Sequence, residues 1–330
     1  MRPPILVRGS GSIGIRHLQI LRDHLRCGTL AWPIRSERLD ELRQQGWIAI
    51  GSLAQAIAHE PQAAVIATDT SRHVADALAL LDAGLPLLIE KPLAATTDGL
   101  SELAWHAHHA GQPVFVASPL RFATGLGYFR SVLPQAGRLH TVRIECQSYL
   151  PDWRPERDYR ASYAARPEEG GVLRDLIHEI DYAVWLFGRP ERVFARRQDG
   201  SRLGIASEAG TDLLWQAPGD VAVSLRLDYL TRTPRRCLHA YGDEGEIHWD
   251  AIAQTVTLIP TGGEAMVTAF PQARDAMMAD QTSAFLQAIA GEDHGVLSTF
   301  DEGAFAVSVC DAARRSAQSG REEDIVPWQH

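Results

Sequence analysis

Pro4-Ile5-Leu6-Val7-Arg8-Gly9-Ser10-Gly11-Ser12-Ile13-Gly14 is the stretch that decides the fold. A short apolar run opens directly onto glycines in the pattern G-x-G-x-x-G. Behind them Ile15, Leu18, Leu21, His24 and Leu25 recur near a 3.6-residue period, which predicts a helix. Strand, glycine turn and helix in immediate succession form the context in which this pattern carries meaning. Gly9 permits the tight turn, Gly11 lets a pyrophosphate approach the backbone, and Gly14 lets the helix pack close to the strand. The helix N-terminus then presents free N–H groups and a partial positive charge. Gly9, Ser10, Gly11, Ser12, Ile13 and Gly14 are therefore expected to cradle the phosphates of a dinucleotide.

Working outward, the βα unit repeats. Strands are expected over 29–34, 63–68, 87–90 and 113–117, and helices over 37–45, 51–59, 71–83 and 97–109. Such alternation implies a parallel sheet with right-handed crossovers. Ligands of these sheets sit beyond the carboxyl ends of the strands. Thr68, His73, Glu90, Lys91 and Arg121 all fall at or just after such ends. At the end of the second strand an NAD site usually places an acid for the ribose 2′-hydroxyl. Here the chain offers Arg35-Ser36, with Arg38 nearby. An arginine and a hydroxyl suit a 2′-phosphate, so the cofactor is NAD or NADP with NADP favoured.

The chain has 330 residues, which suggests two domains. We place the boundary near 119–124, with a Rossmann domain over 1–120 and an α+β domain over 121–330. Composition is that of a globular protein, 45% hydrophobic and 22% charged. No apolar run approaches the roughly 20 residues that span a bilayer. No secretory signal opens the sequence. A net charge of −9 without a basic block argues against nucleic acid. Neither membrane nor nucleic acid is expected as a partner, and the expected location is cytoplasmic. Cys27, Cys146, Cys237 and Cys310 are widely spaced, as reduced thiols would be, and no metal-ligand spacing occurs. Of 32 basic residues only one, Lys91, is a lysine. A position that needs an amine of adjustable proton affinity cannot use arginine.

The second half alternates apolar and polar residues over 141–147, 193–197, 209–215, 221–229, 236–241, 246–249 and 255–259, which predicts a large, open, mainly antiparallel sheet. Helices are expected over 170–187, 277–290 and 300–319, the last packing back on the first domain. In the helix over 170–187, Asp175, His178, Tyr182 and Trp185 would share one face, and Asp181 lies three residues beyond His178. Upstream, 149–163 interleaves arginines and aromatics. Trp153, Arg154, Tyr159, Arg160 and Tyr163 would suit an anionic or nucleotide-linked sugar, because arginine forks bind carboxylate or phosphate and aromatic faces stack on rings. A solvated loop with internal Arg–Asp pairs is the alternative.

Together, the glycine motif, Thr68 with His73, Glu90-Lys91-Pro92, Arg121-Phe122, the run from Gly170-Gly171 through Asp175 and His178 to Asp181, and Tyr241-Gly242-Asp243-Glu244-Gly245 resemble the Gfo/Idh/MocA family of NAD(P)-dependent oxidoreductases. The phrasing is similar to members associated with bacterial surface-sugar pathways. The resemblance implies hydride transfer between nicotinamide and a carbinol carbon of a sugar, amino sugar, nucleotide sugar or cyclitol. It implies that Lys91, after a Lys91-Pro92 bond that is often cis, and His178 handle the hydroxyl proton, with Asp175 or Asp181 orienting the histidine. Arg121, Asp175 and His178 would line the substrate site. It also implies a homo-oligomer, dimer or tetramer, through the C-terminal sheet. A redox-neutral epimerase, lyase or glycosidase with tightly retained NAD, and a non-catalytic nucleotide sensor, are the alternatives.

Overall fold

A computed structural model describes residues 3–328. The chain divides into two compact units. The first holds the chain through Pro119 together with Ala273–Ala304 and Trp328, and the second holds Leu120–Gln272 and Phe305–Pro327.

In the first unit, β1 (Ile5–Arg8), β2 (Thr29–Trp32), β3 (Ala63–Ile66), β4 (Leu87–Ile89) and β5 (Val114–Val116) form a parallel sheet in the order β5-β4-β3-β1-β2. The strand Ser298–Thr299 adds an antiparallel edge to β5. The strands read as continuous apolar runs because both faces are covered. Ile5, Leu6 and Val7, like Leu87, Leu88 and Ile89, are completely buried. Helices α1 (Ser12–Gln19), α2 (Arg38–Gln44), α3 (Leu53–Ile57), α4 (His73–Asp82) and α5 (Leu100–Ala110) connect them. The chain runs from β1 outward to β2 and then returns to β3 on the other side of β1, so β1 marks the topological switch point. Strand β2 stops at Trp32, two residues short of the expected end, where Pro33 has no N–H to continue the ladder. Helix α1 widens into a π-turn over Ile20–His24, and Ile20 packs on Met278 and Ala279 of the helix Arg274–Ile289.

The second unit is built on a nine-stranded sheet. It comprises β6 (Leu139–Gln147), β7 (Arg192–Gln198), β8 (Gly210–Ala217), β9 (Val221–Asp228), β10 (Arg235–Gly242), β11 (Gly245–Asp250), β12 (Thr255–Pro260), β13 (Met266–Ala269) and a short last strand, Glu323–Asp324. All neighbours are antiparallel except β6 and β9, which run parallel. Alternate residues such as Val142, Ile144, Leu238, Ala240, Val223 and Leu225 fill one face. Helix α6 (Thr124–Val132) was not marked by periodicity; its Gly125 sits where a Cβ would come 2.9 Å from Nε1 of Trp249.

The expected helix over 170–187 is two pieces, α7 (Val172–Asp175) and α8 (Ile177–Phe187). Leu176 breaks the run with φ −98° and ψ 29°. Asp175 therefore does not continue the helical face of His178. Tyr182 is core, fully buried and edge-on to Trp249 at 5.8 Å.

Candidate active site

The glycine turn is built as its spacing requires. Gly9 takes φ +103°, and a Cβ there would lie 2.4 Å from the carbonyl oxygen of Ala67 at the end of β3. A Cβ on Gly14 would lie 2.2 Å from the carbonyl oxygen of Gly9, so this glycine lets the helix seat against the turn. Gly11 differs from both. Its φ of −69° is open to any residue, and no protein atom lies within 4 Å of where its Cβ would be. Neither backbone strain nor packing demands glycine at 11, whereas a phosphate lying on the backbone would. Gly11 is the N-cap of α1, without a side-chain cap and with no acid in the first turn. These are conditions an anion favours. The residues present therefore fit a dinucleotide.

Around the turn, Arg8 stacks on Trp32 at 3.9 Å, and donates from Nε to Asp76 at 3.0 Å and from Nη1 to the carbonyl of Pro33 at 3.0 Å. It fastens the ends of β1 and β2. Arg35 and Ser36 are exposed in the turn that follows β2. Arg38 reaches the glycine turn itself, donating from Nη2 to the carbonyl of Ser10 at 3.1 Å while pairing with Glu41. The sequence placed Arg38 near Arg35-Ser36, and the structure brings it onto the glycine turn.

At the carboxyl ends of β3 and β4, Thr68 presents a buried Oγ1 that meets no hydrogen-bonding partner. A buried hydroxyl without a partner is costly, and a bound polar group would satisfy it. Lys91 follows β4, half-buried, and its bond to Pro92 is cis, as the resemblance implied. The His73 ring does not face outward. It is buried, with Nδ1 2.9 Å from the carbonyl oxygen of Pro92 and Nε2 3.1 Å from that of Thr68. Burial holds its pKa below the usual imidazole value against those carbonyls and the nearby Glu90 and Asp76 carboxylates. His73 is thus a clip joining the two loops. Glu90 is also turned inward, its Oε1 2.8 Å from Nε2 of His17.

In the second unit both acids flanking His178 take part in buried networks. Arg121 grips Asp181 with two parallel bonds, Nε–Oδ2 at 2.9 Å and Nη2–Oδ1 at 2.7 Å, and these side chains are only 2% and 7% exposed. Trp185 lies beneath Arg121 at 5.4 Å and beneath Arg130 at 4.5 Å. The Arg121 fork thus holds an internal carboxylate. Asp175 accepts from the phenols of Tyr163 and Tyr229. Tyr229 was not singled out by the sequence, where nothing links the end of β9 to α7. His178 is the second residue of α8 and is half-buried.

The arginine-aromatic stretch folds as short helical turns. Trp153 is 41% exposed and donates from Nε1 to Ser148 Oγ at 2.8 Å. Tyr159 donates to the carbonyl of Leu203, and Arg160 lies over the Tyr159 ring at 5.1 Å. Ion pairs do form inside the stretch, but they join Arg157 to Glu156 and Arg160 to Asp158. Arg154 is exposed. Tyr163 is the residue of this stretch that the structure joins directly to Asp175.

None of the four cysteines is in a disulfide. Burial pushes the Cys146 and Cys310 thiols up to about 12 and that of Cys237 to about 11. Among the described residues no cluster of three or more His, Cys, Asp or Glu is arranged to hold a metal, and no helix is long and apolar enough to cross a membrane.

A parallel sheet with a glycine turn at its switch point, joined in one chain to a broad, mainly antiparallel sheet, defines a two-unit protein with a Rossmann-type first unit. The chain belongs to the Gfo/Idh/MocA family: residues 4–118 match the oxidoreductase family's NAD-binding Rossmann fold, and residues 135–248 match the GFO/IDH/MocA C-terminal domain. Among curated relatives, a myo-inositol dehydrogenase from Streptomyces leeuwenhoekii is 30% identical over 191 residues, 56% of each chain. A trans-1,2-dihydrobenzene-1,2-diol dehydrogenase from Bos taurus is 30% identical over 184 residues, 52% of this chain and 50% of its own. The chain thus spans about half the length of the curated relatives it matches. Among solved structures, an inositol dehydrogenase homologue from Azotobacter vinelandii complexed with NAD+ superposes with a TM-score of 0.86, covering 98% of both chains at 16% identity. A levoglucosan dehydrogenase in complex with NADH gives 0.85, covering 98% of this chain and 99% of its own, also at 16% identity. At that identity the superpositions show the fold.

Proposed function

We propose that the protein is an NAD(P)-dependent oxidoreductase acting on a carbinol carbon of a sugar-like or cyclitol substrate, with NADP favoured. The observation that carries this reading is the open approach at Gly11 beside a turn where Gly9 and Gly14 are sterically required. The nicotinamide dinucleotide supplies hydride exchange when bound. The chain supplies the rest. The turn from Gly9 to Gly14 binds the phosphates through backbone N–H groups. Arg35 and Ser36, helped by Arg38, take the 2′-phosphate. Thr68 offers its unpaired hydroxyl at the end of β3. Lys91 and His178 hold and move the proton at the substrate hydroxyl oxygen, a role for which amine and imidazole are suited. Asp175 orients this machinery with Tyr163 and Tyr229, and Asp181 does so through Arg121. Trp153, Arg154, Tyr159, Arg160 and Tyr163 recognise the substrate ring and any anionic group it bears.

The same reading takes copies of the chain to associate through the outer face of the nine-stranded sheet as a homodimer or tetramer. Cysteines outside any disulfide fit a reducing, cytoplasmic setting. The test is turnover with NADPH and NADH across polyols and sugars, including myo-inositol and levoglucosan, after which a relative and a neighbour are named. Wild type turns over at least one, and Lys91→Ala, still binding nucleotide, loses on the order of a hundredfold or more. Near-normal turnover in Lys91→Ala removes the lysine from the mechanism.

A further inference from the structure

His17 stands in the last turn of α1 and is fully buried. Its Nε2 lies 2.8 Å from Oε1 of Glu90. A carboxylate oxygen only accepts, so Nε2 carries the proton and donates. Nδ1 is buried without a hydrogen-bonding partner, so the ring's hydrogen bonding is directed at Glu90. Burying an imidazole with one nitrogen unsatisfied is an expensive way to fill space in a helix that packs on an apolar sheet. The bond also has a particular address. It joins the helix that starts at the glycine turn to the residue next to Lys91.

Three titratable groups face the Glu90 carboxylate: His17 from α1, Lys91 beside it and His73 from α4. Asp76, paired with Arg8, faces His73 in turn. Burial works to raise the Glu90 carboxyl, but the His17 bond and the charges of His17, Lys91 and His73 outweigh it and hold it below the usual carboxylate range.

We propose that His17 is a positioning residue for Lys91: its bond fixes the Glu90 carboxylate beside the lysine and ties the Lys91 turn to the helix that begins at the glycine loop. This deepens the reading of Lys91 as the proton-handling amine, and rests on it, but it can be tested without turnover. Lys91 is the chain's one lysine. Reductive 13C-dimethylation of the nucleotide-free full chain therefore labels Lys91 and the N-terminal amine alone, and their NMR resonances can be titrated separately.

In His17→Leu the buried carboxyl loses its donor and takes up a proton or turns away. The Lys91 resonance then titrates at a lower midpoint than in wild type, as expected on losing a neighbouring opposite charge. His17→Gln, whose Nε2 amide can still donate to Glu90, stays close to wild type. Equal midpoints in wild type and His17→Leu overturn the proposal, as does an equal shift in Leu and Gln. Should His17→Leu fail to fold, Glu90→Gln keeps the volume and removes the charge. It gives the same downward shift, and an unchanged midpoint there overturns the coupling. A shifted midpoint in a protein with no nucleotide-dependent turnover would reject the oxidoreductase reading and leave the coupling standing. Turnover with an unmoved midpoint would do the reverse.

Discussion

Tyr229 Oη donates to Asp175 Oδ2 at 3.0 Å, joining the residue that follows β9 to the last residue of α7 across 54 positions of sequence. Tyr229 is fully buried, and burial with the Asp175 charge beside it pushes its phenol well above its usual range. It therefore remains a donor at every working pH. Tyr229→Phe deletes one of the two phenol donors to a buried carboxylate and leaves Tyr163 as the other. The expected loss is about 1.5–3 kcal/mol, the scale of a hydrogen bond to a charged group. Urea denaturation checks it, and an unchanged midpoint would show that Asp175 does not depend on this donor.

Arg121 and Asp181 form the buried bidentate pair of the second unit. Arg121→Ala strands Asp181 without its counter-charge, and Asp181→Ala strands the guanidinium. Each is expected to cost about 3–5 kcal/mol. Arg121→Met with Asp181→Leu removes both charges and should recover much of that loss. Additive losses in the double variant, read by denaturation, would contradict the pairing.

Glu90 predicts an acid dependence. Its carboxyl is held low in the folded chain, so its ionised form favours folding. The sign follows from linkage: this stability is complete above the unfolded carboxyl value and fades as pH falls through the lowered folded value. Glu90→Gln should therefore be less stable than wild type at neutral pH, with the gap closing as pH drops below the ordinary carboxylate range. A gap that stays constant or widens on acidification would contradict it.

Much of this was legible in the sequence because it is local. The buried strands Ile5–Arg8, Ala63–Ile66 and Leu87–Ile89 are apolar runs next to turn residues, and the glycine turn and the Glu90-Lys91-Pro92 turn each lie within a few residues. What was hidden is long-range or breaks a local rule. The bonds His17–Glu90, Arg121–Asp181 and Tyr229–Asp175 span 73, 60 and 54 residues, and no periodicity announces them. The break at Leu176 lies inside an unbroken helical pattern, because Val172, Leu173, Ile177 and Ile180 around it are buried and apolar, as in one continuous helix. Helix α6 carries Gly125 and Gly127, which weaken its signal. Strand β13 is exposed along its whole length, so no alternation betrays it.

The arginines after β2 set a preference that can be measured. Arg35→Ala is expected to weaken NADPH binding much more than NADH binding, because it removes a partner of the 2′-phosphate alone. Arg38→Ala should weaken both, since Arg38 also braces Ser10 in the glycine turn. Equal losses for both nucleotides in Arg35→Ala would reject the 2′-phosphate assignment.

The most direct test of the central claim is a fluorescence titration of nucleotide-stripped wild type and Gly11→Val with NADPH and NADH. The Gly11 site has free space on the protein side and an ordinary backbone, so Gly11→Val is expected to fold normally. Wild type should bind both nucleotides, NADPH more tightly, and the valine variant should bind neither. A folded Gly11→Val that binds with wild-type affinity, or a wild type that binds neither nucleotide, would contradict the assignment of this turn as a dinucleotide site.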